Sequence, residues 1–157
     1  MIKRLKRIFK WVLGIIGVTL MLFSTFFFFY ANTLKGVNPK TISYYYQLKT
    51  ELKAKGYKDQ LIIISSQRAA WHNQLLTLFG AATKSRHLRG DAIDIMVLDV
   101  NADGIIDGKD VDIVYILLDR EIVKNTGGLG TYQSERWIWN RQMIHVDCRQ
   151  KKARWHR

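Results

Sequence analysis

His87 and Asp94 stand seven positions apart in SRHLRGDAIDI (Ser85 to Ile95), in a chain of 157 residues that has four histidines. Sixty residues later, MIHVDCR places His145 and Asp147 two positions apart. Two imidazoles and one carboxylate, with a fourth position left to water, form a recognised catalytic zinc arrangement. Zinc so held lowers the pKa of water and polarises a carbonyl, which is the chemistry of amide hydrolysis. Taken alone, His87 reads more simply as a loop histidine, and one spacing does not make a site.

A second stretch suggests a different metal. DVNADGIIDGKD, Asp99 to Asp110, sets oxygen side chains at loop positions 1, 3, 5, 9 and 12, with Gly104 at position 6. It resembles the calcium loop of EF-hands, and of dockerin modules in particular, where Asp takes the last position. A hard cation needs six to eight oxygens, and glycine permits the sharp turn between them. Asp99, Asn101, Asp103, Asp107 and Asp110, with the carbonyl of Ile105, are therefore the expected ligands of one structural calcium. The plainer reading is an Asx-rich turn that binds nothing.

The elements that must position these residues follow from pattern. DAIDIMV alternates like a strand, with Ala92, Asp94 and Met96 on one face, and His145 and Asp147 share a face of a second strand. LIIIS (Leu61 to Ser65) reads as a short buried strand, and Gly127, Gly128 and Gly130 open another that runs through Tyr132. WIW and QMIHVD suggest a hairpin turning at Asn140-Arg141. Helices are predicted from Thr41, as cap, to about Lys55, with Ile42, Tyr45, Tyr46 and Leu52 on one face. Two more are predicted over Ala69 to Phe79 and from about Asp110 to Lys124. The fold class is α+β: a small, largely antiparallel sheet with flanking helices.

From Trp11 to Ala31 the chain carries no charge, and as a helix this run is roughly 30 Å long, enough to span a bilayer. Lys3, Arg4, Lys6, Arg7 and Lys10 precede it and favour retention on the cytoplasmic side. Phe29 and Tyr30 before Ala31 make a poor cleavage site, so an uncleaved signal anchor is favoured over a cleaved signal. The expected organisation is a basic cytoplasmic segment (1–10), an anchor (11–31), a linker (32–40), an exported domain (41–150) with the loop 99–110 embedded, and a solvated basic tail (151–157). Net charge is +12, of which five charges flank the anchor and +7 remain on the rest. For an exported domain, the expected partners of this charge are anionic wall or lipid headgroups rather than nucleic acid. Cys148 is the sole cysteine, so no intramolecular disulfide forms.

The wider pattern is similar to a known family. SRHLRGDAIDI resembles the S-x-H-x-x-G-x-A-x-D motif of the zinc D-alanyl-D-alanine carboxypeptidases and murein endopeptidases, which share a fold core with lysostaphin-type peptidases and the hedgehog signalling domain. IIISSQRAAWHN resembles the family's strand-then-arginine segment, GGLGTY its glycine-rich strand and IHVDCR its last H-x-D strand, in the family's order from Leu61 to Arg149. The resemblance implies that His87, Asp94 and His145 bind one catalytic zinc, and that Arg68 grips a carboxylate or carbonyl of a peptidoglycan stem peptide. Many members carry Glu or Asp three residues before the last zinc histidine; here Gln142 stands there and cannot take a proton. Asp147 is then the best candidate for general base, with support of a ligand histidine as its other reading.

With the anchor and its basic flank placing the domain outside the cytoplasm, the resemblance implies a membrane-anchored, periplasm-facing zinc peptidase, a murein endopeptidase rather than a carboxypeptidase by its H-V-D ending. An inactive hedgehog-like module that binds wall or a partner is the alternative, kept open by Gln142. A calcium-organised adhesion domain without zinc is a third reading. His72 and His156 read as packing or solvated groups, Trp137 and Trp139 as packing or a sugar platform, and Cys148 as buried.

Overall fold

In the computed structural model, residues 2–31, 33–78, 80–132 and 142–156 are described. The chain begins with the long helix α1 (Ile2–Ala31), followed by α2 (Pro39–Ala54), β1 (Leu61–Ser65) and α3 (Ala70–Thr77). A 3₁₀ turn, Arg86–Arg89, leads to β2 (Ala92–Val97). Helix α4 (Gly108–Leu117) runs on through a π-helical turn, Leu118–Val123, to β3 (Gly128–Tyr132), β4 (Met143–Asp147) and β5 (Ala153–His156).

The five strands form one sheet in the order β1-β2-β4-β3-β5. Pairing is antiparallel throughout except between β3 and β5, which run parallel. The sheet is thus mixed. The expected solvated tail supplies its fifth strand: Arg154 anchors it through Asp119 Oδ1 at 2.6 Å and the carbonyls of Lys124 and Gly127. Charge composition hid this, because a basic residue on an edge strand has acidic and carbonyl partners to meet.

Alternation divides the sheet into two faces. Ile93, Ile95, Val97, Leu129, Ile144 and Val146 join one core with Leu48 and Leu52 of α2 and Val111 and Val114 of α4. Asp94, His145 and Asp147 lie at the alternate positions, on the other face. In this division, helices fill one side and leave the other for chemistry.

Helix α2 starts earlier than Thr41. Asn38 caps it by accepting from Lys40 N–H, and Pro39 occupies the first turn, where its missing N–H costs nothing. Thr41 is buried and donates to the Asp91 carbonyl, and Tyr46 faces solvent. The supposed linker is also fastened down: Val37 is buried in the core, and Asn38 N–H bonds to the Gly90 carbonyl. Gly90, at φ 72, meets the Gly36 backbone so closely that a Cβ has no room. The predicted hairpin arm with Trp137 and Trp139 lies outside the described residues.

One helix among the described residues is long and apolar enough to cross a membrane. None of its stretch Lys6–Phe26 is buried. A signal sequence meets the same test.

Candidate metal centre

Register brings the centre together. Asp94 on β2 pairs directly with His145 on β4, which places both side chains on one face. His87 reaches them from the 3₁₀ turn, where Ser85 caps the start and left-handed Gly90 ends it. Asp94 Oδ1 lies 3.1 Å from His87 Nε2 and 2.8 Å from His145 Nδ1, and the two nitrogens are 3.3 Å apart. All three residues are buried, and among the described residues they form the one group of metal-ligating side chains whose donor atoms converge.

The outer atoms of these rings show what the inner ones must be. His87 Nδ1 lies 2.7 Å from the Ser66 carbonyl, a pure acceptor, so this nitrogen carries the proton. His145 Nε2 faces Asp147 Oδ2 at 3.2 Å and carries the proton there. In the neutral rings, His87 Nε2 and His145 Nδ1 are then lone pairs aimed at a carboxylate oxygen. Three electron pairs facing one another repel unless a cation lies among them. Two imidazole nitrogens and one carboxylate oxygen are a donor set suited to zinc.

The electrostatics favour a neutral His87 and positive charge beside His145. Burial pushes the His87 pKa below its usual value, with Asp94 opposing, so that ring tends to neutrality. Burial also opposes charge on His145, but the hydrogen bonds to Asp147 and Asp94 outweigh it and raise the pKa. Asp94 is held well below the usual carboxylate range: burial works against this, and the neighbouring histidines and Arg68 prevail. Two carboxylates therefore pull for positive charge at this point, and a divalent cation supplies it.

Arg68 and Asp147 both bond inward, to the centre. Arg68 Nη2 bonds to Asp94 Oδ2 at 2.6 Å and its Nε to Ser65 Oγ at 2.8 Å. It holds the carboxylate so that Oδ1 faces the histidines. Asp147 is fully buried. Its Oδ1 accepts from Gly128 N–H, Arg149 N–H and Arg149 Nε, and its Oδ2 from Arg149 Nη2 and His145. Burial would raise its pKa, yet His145 and Arg149 lower it strongly. A carboxylate so fully occupied makes a poor proton acceptor, and its place behind His145 fits the supporting role.

Arg149 was not singled out in the sequence, and neither was Trp155. The Arg149 guanidinium lies over the Trp155 ring at 5.5 Å, and that ring lies 5.3 Å from His145. The glycines of β3 make this possible: a Cβ on Gly128 would strike Asp147 and Arg149, and one on Gly130 would strike Trp155. The glycine-rich strand was the available signal, since two glycines at alternate positions clear one face of a sheet. His72 is buried, Cys148 is half-buried against the core, and exposed His156 bonds Thr131 Oγ1 at 2.8 Å.

The acidic loop has another geometry. Asp110 Oδ1 accepts from the N–H groups of Val100 and Asn101, and Oδ2 from that of Asp107. Asn101, Asp103 and Asp107 each accept from a backbone N–H two residues on, and Asp99 from Gly104 N–H. The carbonyl-bearing Ile105 and its neighbour Ile106 are exposed. These oxygens do not gather into a metal-ligating group, so no calcium site is evident; the loop is a run of Asx turns that ends by capping α4.

A family model described as peptidase M15 matches residues 31–147, about three quarters of the chain. No curated protein and no solved structure matches it.

Proposed function

We propose, from the premise that this chain belongs to the peptidase M15 family and is a zinc-dependent hydrolase, that it cleaves amide bonds in peptidoglycan stem peptides or their cross-links. The observation that carries this reading is the convergence of His87, Asp94 and His145 on a sheet face cleared by glycines. Cleavage within cross-links is favoured over removal of a terminal residue, because the H-V-D ending resembles that of the murein endopeptidases.

His87 Nε2, His145 Nδ1 and Asp94 Oδ1 would hold the ion. When bound, zinc supplies Lewis acidity, which acidifies water and polarises the carbonyl of the scissile amide. The chain's own residues do the positioning. Ser66 fixes the His87 tautomer through its carbonyl, and Arg68 fixes Asp94. We assign Asp147 to the same work: with Arg149 it holds the His145 Nε2 proton and so keeps Nδ1 free as a ligand. Gln142 contributes no acid–base chemistry, since an amide does not titrate.

Helix α1 is proposed as an uncleaved signal anchor, with the basic segment in the cytoplasm and the domain on the extracytoplasmic side. Its uncharged run and the five preceding basic residues support this. A reporter fused after Arg157 tests it, and activity in the cytoplasm would reverse the topology.

The decisive experiment is digestion of purified sacculi by the zinc-loaded protein, with the fragments identified by mass spectrometry. Cross-linked muropeptides should fall and their monomers rise, and chelation should stop this. A protein that holds zinc yet releases no fragments is a binding module.

A further inference from the structure

Helix α3 is inside out. Its buried residues are His72 and Asn73, whereas Trp71, Leu75 and Leu78 are 55%, 45% and 78% exposed. The spacing i, i+4, i+7 aligns these three on one face. A short helix in water turns the other way, and a contiguous exposed apolar stripe marks a surface that meets something.

The path of the chain says what that is. Helix α1 ends at Ala31, and two residues later the Thr33 carbonyl accepts a hydrogen bond of 2.6 Å from Ser66 Oγ. Gly36 then lies against the side chain of Gln67. Ser66 and Gln67 belong to the turn that leads into α3. Two extended residues span at most about 7 Å, and the five from Ser66 to Trp71 at most about 17 Å. With up to about 7 Å more for the hydrogen-bonded link itself, the stripe begins within roughly 30 Å of the end of α1. Charge points the same way: Lys35 in the fastened segment and Lys84 beyond α3 are exposed, on the part of the chain that keeps +7 once the five basic residues before the anchor are set aside. Exposed basic residues are drawn to a surface that carries anionic headgroups.

We propose that α3 lies on the bilayer surface, with Trp71, Leu75 and Leu78 immersed among the headgroups and upper acyl chains. The proposal rests on the reading of α1 as a membrane anchor, and it makes the domain a docked one rather than a tethered one. Ser66, whose carbonyl orients His87, then stands one turn of chain from the lipid.

The test uses the full-length protein in vesicles of phosphatidylethanolamine and phosphatidylglycerol. In a Cys148→Ser background, a polarity-sensitive fluorophore is placed at Leu75→Cys and, for comparison, at Lys109→Cys, whose side chain is 70% exposed on α4. The Leu75 probe should shift to the blue. Lipids brominated on the acyl chain should quench it about threefold more than the Lys109 probe, as an interfacial helix buries its apolar face about 5–10 Å deep. Replacing Trp71 and Leu78 by Ser should abolish that difference. Two probes equally exposed to water, in protein that floats with the vesicles, would overturn docking and leave the anchor standing. A blue shift without quenching would show that a second copy covers the face, and would overturn it too. Protein that does not float overturns both readings.

Discussion

The chain has two regions dense in metal-ligand residues, and they differ in where the ligand atoms point. At the His87–Asp94–His145 centre, three separate elements each contribute one residue, and the outer atoms are all engaged. Ser66, Asp147 and Arg68 take them up, which leaves three electron pairs facing one another within 3.3 Å. In the Asp99–Asp110 loop, one stretch of chain contributes all the oxygens, and they turn to that stretch's own amides. The centre calls for positive charge among its inward-facing atoms; the loop meets most of its own needs through its amides, and Asp99 Oδ1 is its one buried oxygen without a partner among the described residues. Residue type says which groups could bind a metal. The remaining hydrogen-bond partners decide whether they must.

Removing a ligand from the centre should have the largest effect of any change. His145→Ala should lose both zinc, measured by elemental analysis, and hydrolysis of cross-linked muropeptides, which should fall to background. Next comes Asp147→Asn, which keeps the side chain's shape but weakens its hold on His145. Zinc affinity should fall by roughly 10–100-fold, the usual scale for a group that orients a ligand histidine. A general base predicts something else: zinc bound as tightly as in the unaltered protein, with turnover alone reduced.

The loop should respond to the loss of its cap rather than of an ion. Asp110→Ala strands three buried or half-buried amide donors and should cost about 2–3 kcal/mol in a denaturant titration, even with calcium chelated. Gly130→Ala should cost about 1–3 kcal/mol by forcing Trp155 off β3, read as a lower Tm together with altered tryptophan fluorescence. The smallest effect should be that of added calcium. Binding to the folded loop would raise Tm by linkage, but by less than Asp110→Ala lowers it, because the loop stands without the ion. No rise at all at millimolar calcium would remove the loop from the list of metal sites.

The metal ligands were legible because zinc imposes its donor types and the motifs around them resemble those of a known family; that Asp94 meets His145 comes from the β2–β4 register, which alternation within either strand does not reveal. Strand β1 was legible because LIIIS allows little else. The supporting shell was harder to see. Arg68 and Asp147 have the residue types of substrate-binding and acid–base groups, and only their distances to Asp94, Arg149 and His145 show them bonded inward. Arg149 and Trp155 sit in a basic stretch whose composition suggests solvent. The parallel pairing of β5 is a long-range event that local pattern does not encode. The start of α2 was missed because Thr41 and Asn38 are both good caps, and Pro39 settles the choice.

The central claim is that these three side chains converge because they hold zinc. Zinc K-edge X-ray absorption on the purified full-length protein tests it most directly. It should show one zinc per chain with two imidazole nitrogens and a carboxylate oxygen among its ligands, lost in His145→Ala. A metal-free protein that folds normally and takes up no zinc, or one whose zinc survives that substitution unchanged, would contradict it.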